Sequence, residues 1–141
     1  MCSSDLADFD TGITVSNGGL NASIADMAKY LAFLLGDVPP DSDARSVLAP
    51  ASLAAMWAPV LPTQADGREH IGLCFFVQER GGSRFATHTG GQHEFVSFFY
   101  VHPASRTGAL GAFNTGTAGP TMAALRTLCM DTLSLPAVRK G

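Results

Sequence analysis

The chain has 141 residues, of which 46% are hydrophobic and 15% are charged, and its formal net charge at pH 7 is -3. This length and composition suit one folded domain or part of a larger one, and the small negative charge gives no electrostatic basis for binding nucleic acid. No apolar run approaches the ~20 residues that a membrane-spanning helix needs. The chain is apolar enough that we expect part of its surface to face a partner.

The first part of the chain predicts two helices. Ser23 followed by Asp26 is a variant of the capping box, and apolar residues recur at helical spacing from there to Leu35. Gly36 then ends the helix, and a short second helix starts at Pro50. We therefore expect a helical segment over residues 23–58, with a loop over 38–46 and a polar connector over 62–69.

The second part of the chain predicts strands joined by tight turns. Four strands are expected, over residues 71–78, 84–88, 95–101 and 108–113. A Gly81-Gly82 turn would join the first two, and residues 103–106 would turn between the last two. A final helix over 119–134 would carry an apolar side made of Met122, Leu125, Leu128, Cys129 and Leu133. The predicted fold class is α+β, with an antiparallel sheet of about four strands over residues 71–114 packed with helices.

The sequence His88-Thr89-Gly90-Gly91 is the strongest chemical signal in the chain. It stands between the second and third predicted strands. Glycine lets a backbone N–H approach a substrate oxygen closely, while histidine and threonine offer proton transfer and hydrogen bonds beside it. On these residues alone, Gly90 and Gly91 could equally form a strand-end turn or bulge, and Thr89 could be an ordinary strand residue.

Residues 85–114, which contain this motif, resemble the third-motif region of the serine β-lactamase-related hydrolases. That family includes class C β-lactamases, D,D-carboxypeptidases and related esterases and amidases, and its third motif is Lys-Thr-Gly or His-Thr-Gly on a strand. Residues 17–31 are similar to the family's Gly-Gly-Leu-x-Ser-x-x-Asp-Met-Ala-x-Phe helix start, and residues 71–76 to its Gly-Leu-Gly-Trp strand. The order and spacing of the three segments extend the resemblance over residues 12–133.

The resemblance implies part of a β-lactamase/transpeptidase-like fold and a catalytic role for the motif. In such enzymes a serine attacks an ester, amide or β-lactam carbonyl and forms an acyl-enzyme, so the partner would be a small-molecule or peptide-like substrate. Gly91 would supply a main-chain N–H to the oxyanion, with His88 and Thr89 as polar partners. Histidine stands here where class C β-lactamases have lysine, and it suits a hydrogen-bonding or proton-relay role.

Four further residues are expected to line the substrate: Gly90, Gln92, His93 and Asn114. For Gln92 and His93 an exposed turn is the preferred alternative, because they follow directly after the motif at the mouth of a strand. An asparagine at a strand end is likewise an ordinary turn residue, so the assignment of Asn114 depends on the resemblance.

Neither metal nor disulfide chemistry is strongly indicated. The side chains that could share a metal are His88, His93, Glu94 and His102. Neighbouring strand residues point to opposite faces, and His102 lies at the far end of its strand, so we expect no metal and no cofactor. Cys74 in an apolar strand and Cys129 on an apolar helix face are expected to be buried free thiols, with a disulfide between them as the alternative.

Two motifs of the resembled family are missing from the sequence. Its nucleophile lies in Ser-x-x-Lys, but Asp26 and Ala137 stand three positions before Lys29 and Lys140, and no Tyr-x-Asn occurs. We therefore expect residues 7–141 to be a C-terminal portion of such an enzyme, inactive alone, whose partner is the N-terminal half of the same protein. The rival function is a non-catalytic module that binds a ligand or another subunit.

The first six residues are interpreted as a leader outside the fold. Residues 1–6 can be encoded by DNA that matches the end of a common short-read sequencing adapter. Such a segment is excluded from fold reasoning. An ordinary polar N-terminus is the alternative.

Overall fold

The computed structural model describes residues 12–14, 18, 20–92 and 94–133. The predicted leader, residues 1–6, lies outside the described residues, as does His93. The helices are α1 (Ile24–Leu34), α2 (Ala44–Val47), α3 (Pro50–Met56) and α4 (Gly119–Leu133), with short 3-10 helices at Gly12–Thr14 and Gly116–Ala118. The strands are β1 (Leu61–Pro62), β2 (Glu69–Ile71), β3 (Phe76–Arg80), β4 (Ser83–Gln92), β5 (Phe95–His102) and β6 (Thr107–Phe113).

Helix α1 begins where the capping signal predicts. The Ser23 hydroxyl oxygen accepts a hydrogen bond from the Asp26 N–H at 3.2 Å, and the hydroxyl donates to the Asp26 carboxylate at 2.7 Å. The helix ends at Leu34, and Gly36 follows in the left-handed region at φ +71°. Both predicted ends are therefore confirmed. Leu31 and Leu34 are the residues that the helix buries.

The described strands form one antiparallel sheet in the order β1-β2-β3-β4-β5-β6. The antiparallel α+β prediction is confirmed, but the prediction of about four strands is wrong, because the sheet has six. The predicted strand over 71–78 is interrupted, since the Gly72 N–H bonds to the Phe75 carbonyl at 2.8 Å and Cys74 between them has φ +63°. Ile71 ends β2, which forms a hairpin with β1 across the predicted connector.

The tight turns follow the sequence signals. Gly81 and Gly82 join β3 to β4 with φ of +58° and +76°, the pair of left-handed residues that a type I′ turn requires. Residues 103–106 turn between β5 and β6, with Arg106 at φ +55°. The predicted loop over 38–46 differs from expectation, because α2 begins inside it at Ala44.

Helices cover both faces of the sheet and so create two cores. The core on the first face, here called the α1 face, contains residues of α1, α3, the sheet and the bend before β3: Leu31, Leu34, Leu53, Phe75, Ala86 and Val101. The core on the second face, the α4 face, contains Phe85, Phe98, Tyr100 and Met130. Consecutive strand residues therefore belong to different cores, as the alternation of side chains along a strand requires.

Helix α4 presents a different stripe to the sheet than the sequence predicts. Met122, Cys129 and Leu133 pack against the α4-face core as expected. Leu125 and Leu128 do not, because they are 36% and 60% exposed. Packing of this helix is therefore centred on the side that carries the buried Met130, and two of its leucines face outward.

The cysteines also differ in part from expectation. Cys74 is exposed in the bend between β2 and β3, so the prediction of a buried strand residue is wrong. Cys129 is half-buried against the α4-face core. Both side chains are free thiols.

Candidate functional site

Strand β4 carries the whole His-Thr-Gly-Gly motif, which lies within the strand and not at its exit. The motif pairs with β5 along its length, from His88 opposite Phe99 to Gly91 opposite Val96. Pairing with β3 on the other side stops at Thr87. Within the described residues, positions 88–92 thus have a strand neighbour on one side only. Five residues at about 3.4 Å each give an open edge of roughly 17 Å.

The side chains of the motif alternate between the two faces of the sheet. His88 lies on the α1 face, where its ring is 6.5 Å from the Phe99 ring, and it also approaches Phe76 at 5.6 Å. Thr89 is on the α4 face, next to a polar cleft. The motif is therefore continuous along the backbone edge, but its side chains do not converge on one point.

The His88 ring is exposed and has a defined orientation. Its Nδ1 lies 2.8 Å from the Thr89 carbonyl oxygen. A carbonyl oxygen only accepts hydrogen bonds, so Nδ1 must carry the hydrogen in this contact. In the neutral ring the lone pair is then on Nε2, which is the nitrogen available to accept a proton from a reacting group.

The two glycines differ in how closely the chain packs against them. A Cβ at Gly90 would lie 3.0 Å from the Ser97 hydroxyl oxygen, whereas a Cβ at Gly91 would meet nothing nearer than Val96 at 3.8 Å. Both pair within the β4–β5 ladder, so the alternative of a strand-end turn is wrong. Packing within the described residues does not require glycine at position 91. The absence of a side chain there lets an atom of a bound ligand come close to the backbone.

The predicted substrate-lining residues lie at one end of the sheet. Gln92 is half-buried and pairs with Phe95 across the β4–β5 hairpin. Asn114 is exposed and follows β6, whose last residue Phe113 pairs with Val96. Asn114 is therefore two strands from Gly91, at a spacing of about 10 Å. His93 lies outside the described residues.

Glu94 forms a long-range contact that the sequence did not reveal. It occupies the hairpin turn in the left-handed region at φ +58°, and its carboxylate accepts a hydrogen bond from the Gly116 N–H at 2.9 Å. A Cβ at Gly116 would lie 3.1 Å from that carboxylate. Glu94 thereby ties the β4–β5 hairpin to the segment after Asn114. No local pattern could have found this, because the partners are 22 residues apart.

The described residues offer neither a metal site nor a membrane-spanning helix. Among the described residues, no group of three or more His, Cys, Asp or Glu side chains could hold a metal ion. Within the same ranges, none of the helices has the length and apolar character needed to cross a membrane.

Comparison with known proteins gives similarity at the level of structure. No family model and no curated protein matches the sequence. The chain is similar to the octameric penicillin-binding protein homologue from Pyrococcus abyssi, with 19% identity and a TM-score of 0.62 over 79% of this chain and 24% of that one. This chain shares the fold of part of that protein. The predicted partial β-lactamase/transpeptidase-like fold agrees with this result.

A second solved structure is a D-stereospecific amidohydrolase from Streptomyces sp. It has 23% identity and a TM-score of 0.46, over 60% of this chain and 23% of that one. The chain therefore spans about a quarter of the length of each solved protein.

Proposed function

We propose that this chain forms one wall of the active site of a serine hydrolase that acts on ester, amide or β-lactam carbonyls. The observation that carries the proposal is the open edge of β4, which presents His88, Thr89, Gly90 and Gly91 on its backbone. An extended substrate can add to such an edge through main-chain hydrogen bonds. The fold shared with a protein described as a penicillin-binding protein homologue supports the same function.

In the proposed reaction, a serine hydroxyl from the N-terminal part of the enzyme attacks the substrate carbonyl carbon. The bond to the leaving group breaks, the leaving group takes up a proton, and water later hydrolyses the acyl-enzyme ester. The Gly91 N–H would donate to the carbonyl oxygen while that oxygen gains negative charge. His88 would hold or relay a proton at Nε2, and Thr89 would act as a polar partner on the other face of the strand.

The chain alone is expected to be inactive under this proposal. Its sequence contains neither Ser-x-x-Lys nor Tyr-x-Asn, so the nucleophile must come from the N-terminal half of the enzyme. The second oxyanion donor would be the main-chain N–H of that same serine. Loss of one donor typically lowers the rate by ~10²–10³, and this chain would supply only one.

The first test is sequencing of the source DNA upstream of Met1. We expect an open frame that continues to Ser-x-x-Lys and Tyr-x-Asn, and a longer protein that hydrolyses p-nitrophenyl esters or a chromogenic cephalosporin. In that protein Gly91→Pro removes the N–H and should lower kcat by ~10²–10³. Gly91→Ala keeps the N–H and has 3.8 Å of clearance, so it is the matched control. A stop codon directly upstream, or equal losses in both variants, would contradict the proposal.

The open edge of β4 also favours a second candidate function. A non-catalytic module could bind an extended peptide or another subunit by strand addition at residues 88–92. Under this function the chain itself should bind a peptidoglycan stem peptide, with amide NMR shifts centred on Gly90 and Gly91 and no turnover. Absence of such shifts, together with an upstream nucleophile motif, would favour the hydrolase.

A further inference from the structure

A polar cleft of about 280 Å³ opens on the α4 face of the sheet, the face opposite the His88 ring. Its lining comes from β2, β3, β4, α4 and the loop before β2: Gln64, Glu69, Phe76, Gln78, Thr87, Thr89 and Arg126. A water molecule occupies about 30 Å³ of liquid, so the cleft has room for roughly nine non-hydrogen atoms. This is below the usual size of a drug-binding pocket and fits a small polar molecule.

Arg126 supplies a fixed positive charge at one side of the cleft. Its Nε donates to the hydroxyl of Tyr100, and its guanidinium carbon lies 5.5 Å from the centre of the Tyr100 ring. Tyr100 is only 1% exposed, so the hydroxyl that binds Arg126 belongs to a buried side chain. Among the described residues Arg126 makes no ion pair, which leaves its two terminal amino groups without a carboxylate. A half-buried guanidinium without an ion-pair partner can donate two parallel hydrogen bonds to the carboxylate of a ligand.

Glu69 supplies the opposite charge in the same cleft. One carboxylate oxygen accepts from the Thr63 hydroxyl at 2.8 Å, and the other accepts from the Gln78 side-chain amide. These neutral donors orient the carboxylate and leave its charge uncompensated, since no cation of the described residues pairs with it. Each oxygen retains a further acceptor site. An ammonium group is the natural complement.

The neutral residues of the cleft add hydrogen-bonding capacity without further charge. Thr89 is half-buried, and its hydroxyl has no partner within the described part of the chain. Thr87 is 1% exposed, and its hydroxyl already donates to the Phe99 carbonyl at 2.8 Å. Thr87 therefore lines the bottom of the cleft and has no hydrogen left to donate to a ligand. The cleft therefore carries one cation and one anion that do not pair with each other, with a free hydroxyl in the same lining.

We infer that this cleft binds a small zwitterion of the α-amino acid type, with its carboxylate on Arg126 and its ammonium on Glu69. A simple anion would face the uncompensated Glu69 carboxylate, and a simple cation would face Arg126. Only a ligand with both charges satisfies both groups. This inference goes beyond the hydrolase proposal, because it concerns ligand binding on the α4 face and requires no nucleophile; Thr89 is the residue that the two proposals share.

The test is an NMR titration of the ¹⁵N-labelled chain with serine, using each enantiomer separately. We expect saturable shifts at the Thr89 amide and the Arg126 Nε–H, with a dissociation constant in the millimolar range. Serine methyl ester lacks the carboxylate and N-acetylserine lacks the ammonium, so each should bind at least about tenfold more weakly. No saturable shift up to about 50 mM, or equal binding of the two derivatives and serine, would overturn the inference.

Variants separate the cleft from general effects of charge and folding. Arg126→Gln and Glu69→Gln should each weaken serine binding about tenfold to a hundredfold, while Arg126→Lys keeps the charge and should lose less. The control is Arg80→Gln, because Arg80 is exposed and pairs with Asp131 at 2.6 Å outside the cleft. Binding is read on the chain alone, so its outcome does not depend on whether the hydrolase proposal holds. Equal losses in Arg80→Gln and Arg126→Gln would refute a specific site, and thermal melts verify that each variant is folded.

Discussion

Two glycines, Gly72 and Gly91, should differ in how much stability the chain loses when a methyl group is added. At Gly72 a Cβ would lie 2.4 Å from the Met56 carbonyl oxygen and 3.1 Å from that of Ala58. These backbone atoms are held at the end of α3, where the Leu73 N–H bonds to the Met56 carbonyl at 2.9 Å. Gly72→Ala should therefore lower the free energy of unfolding by about 1–3 kcal/mol, as overpacking does. At Gly91 the nearest atom is 3.8 Å away, so Gly91→Ala should change it by less than about 0.5 kcal/mol.

Urea denaturation followed by Trp57 fluorescence can measure both variants. Trp57 is the only tryptophan, and its ring lies 6.4 Å from the Phe75 ring in an edge-to-face contact that unfolding would remove. With an unchanged m-value, the midpoint of Gly72→Ala should move to lower urea, and Tm should fall by about 2–4 °C per kcal/mol. An equal loss in Gly91→Ala would refute the reasoning, because packing within the chain would then require glycine at both positions.

Three further predictions concern the core, the first helix and the sheet edge. Phe85 is fully buried, so Phe85→Ala should lower the free energy of unfolding by about 3–5 kcal/mol in the same urea assay. The hydrogen bond from Lys29 lowers the pKa of Asp26 from its usual 3.8. The ionised Asp26 carboxylate therefore contributes to stability above about pH 4, and this contribution is lost as the pH falls through the lowered pKa. In thermal melts, Asp26→Asn should remove this dependence of stability on acid pH. Strand β6 has no outer neighbour among the described residues, so Ala112→Lys should reduce light scattering at high protein concentration, and unchanged scattering would count against edge pairing.

The sequence predicted best those features that depend on a few neighbouring residues. The capping pair Ser23 and Asp26 and the Gly81-Gly82 turn are local devices, and both are confirmed. The hairpin of β1 and β2 was missed because its strands are two and three residues long and polar or exposed, so they carry no alternating pattern. Its stability depends on pairing with β3, which a local pattern does not report.

The sequence indicates the candidate site as a motif, and it indicates only part of the geometry of that motif. The period of two along a strand implies that His88 and Thr89 lie on opposite faces, so that signal was available. The sequence does not connect Arg126 to Thr89, because their shared cleft depends on which side of α4 faces the sheet. In the same orientation of the helix, Leu125 and Leu128 face outward, although the pattern of apolar residues predicts that they face the sheet.

The proposed hydrolase needs a second wall opposite β4, and the described residues favour one side for it. The His88 ring is 6.5 Å from that of Phe99, which lies 6.0 Å from Tyr30 on α1. Burial raises the pKa of Tyr30, and a smaller electrostatic effect of Cys74 raises it further. Tyr30 is nevertheless 39% exposed. Leu73 in the adjoining bend is 57% exposed. Because covering a large apolar side chain contributes about 1.5–3 kcal/mol, a nucleophile-bearing segment would gain most by packing on the α1 face, where the lone pair of a neutral His88 is available at Nε2.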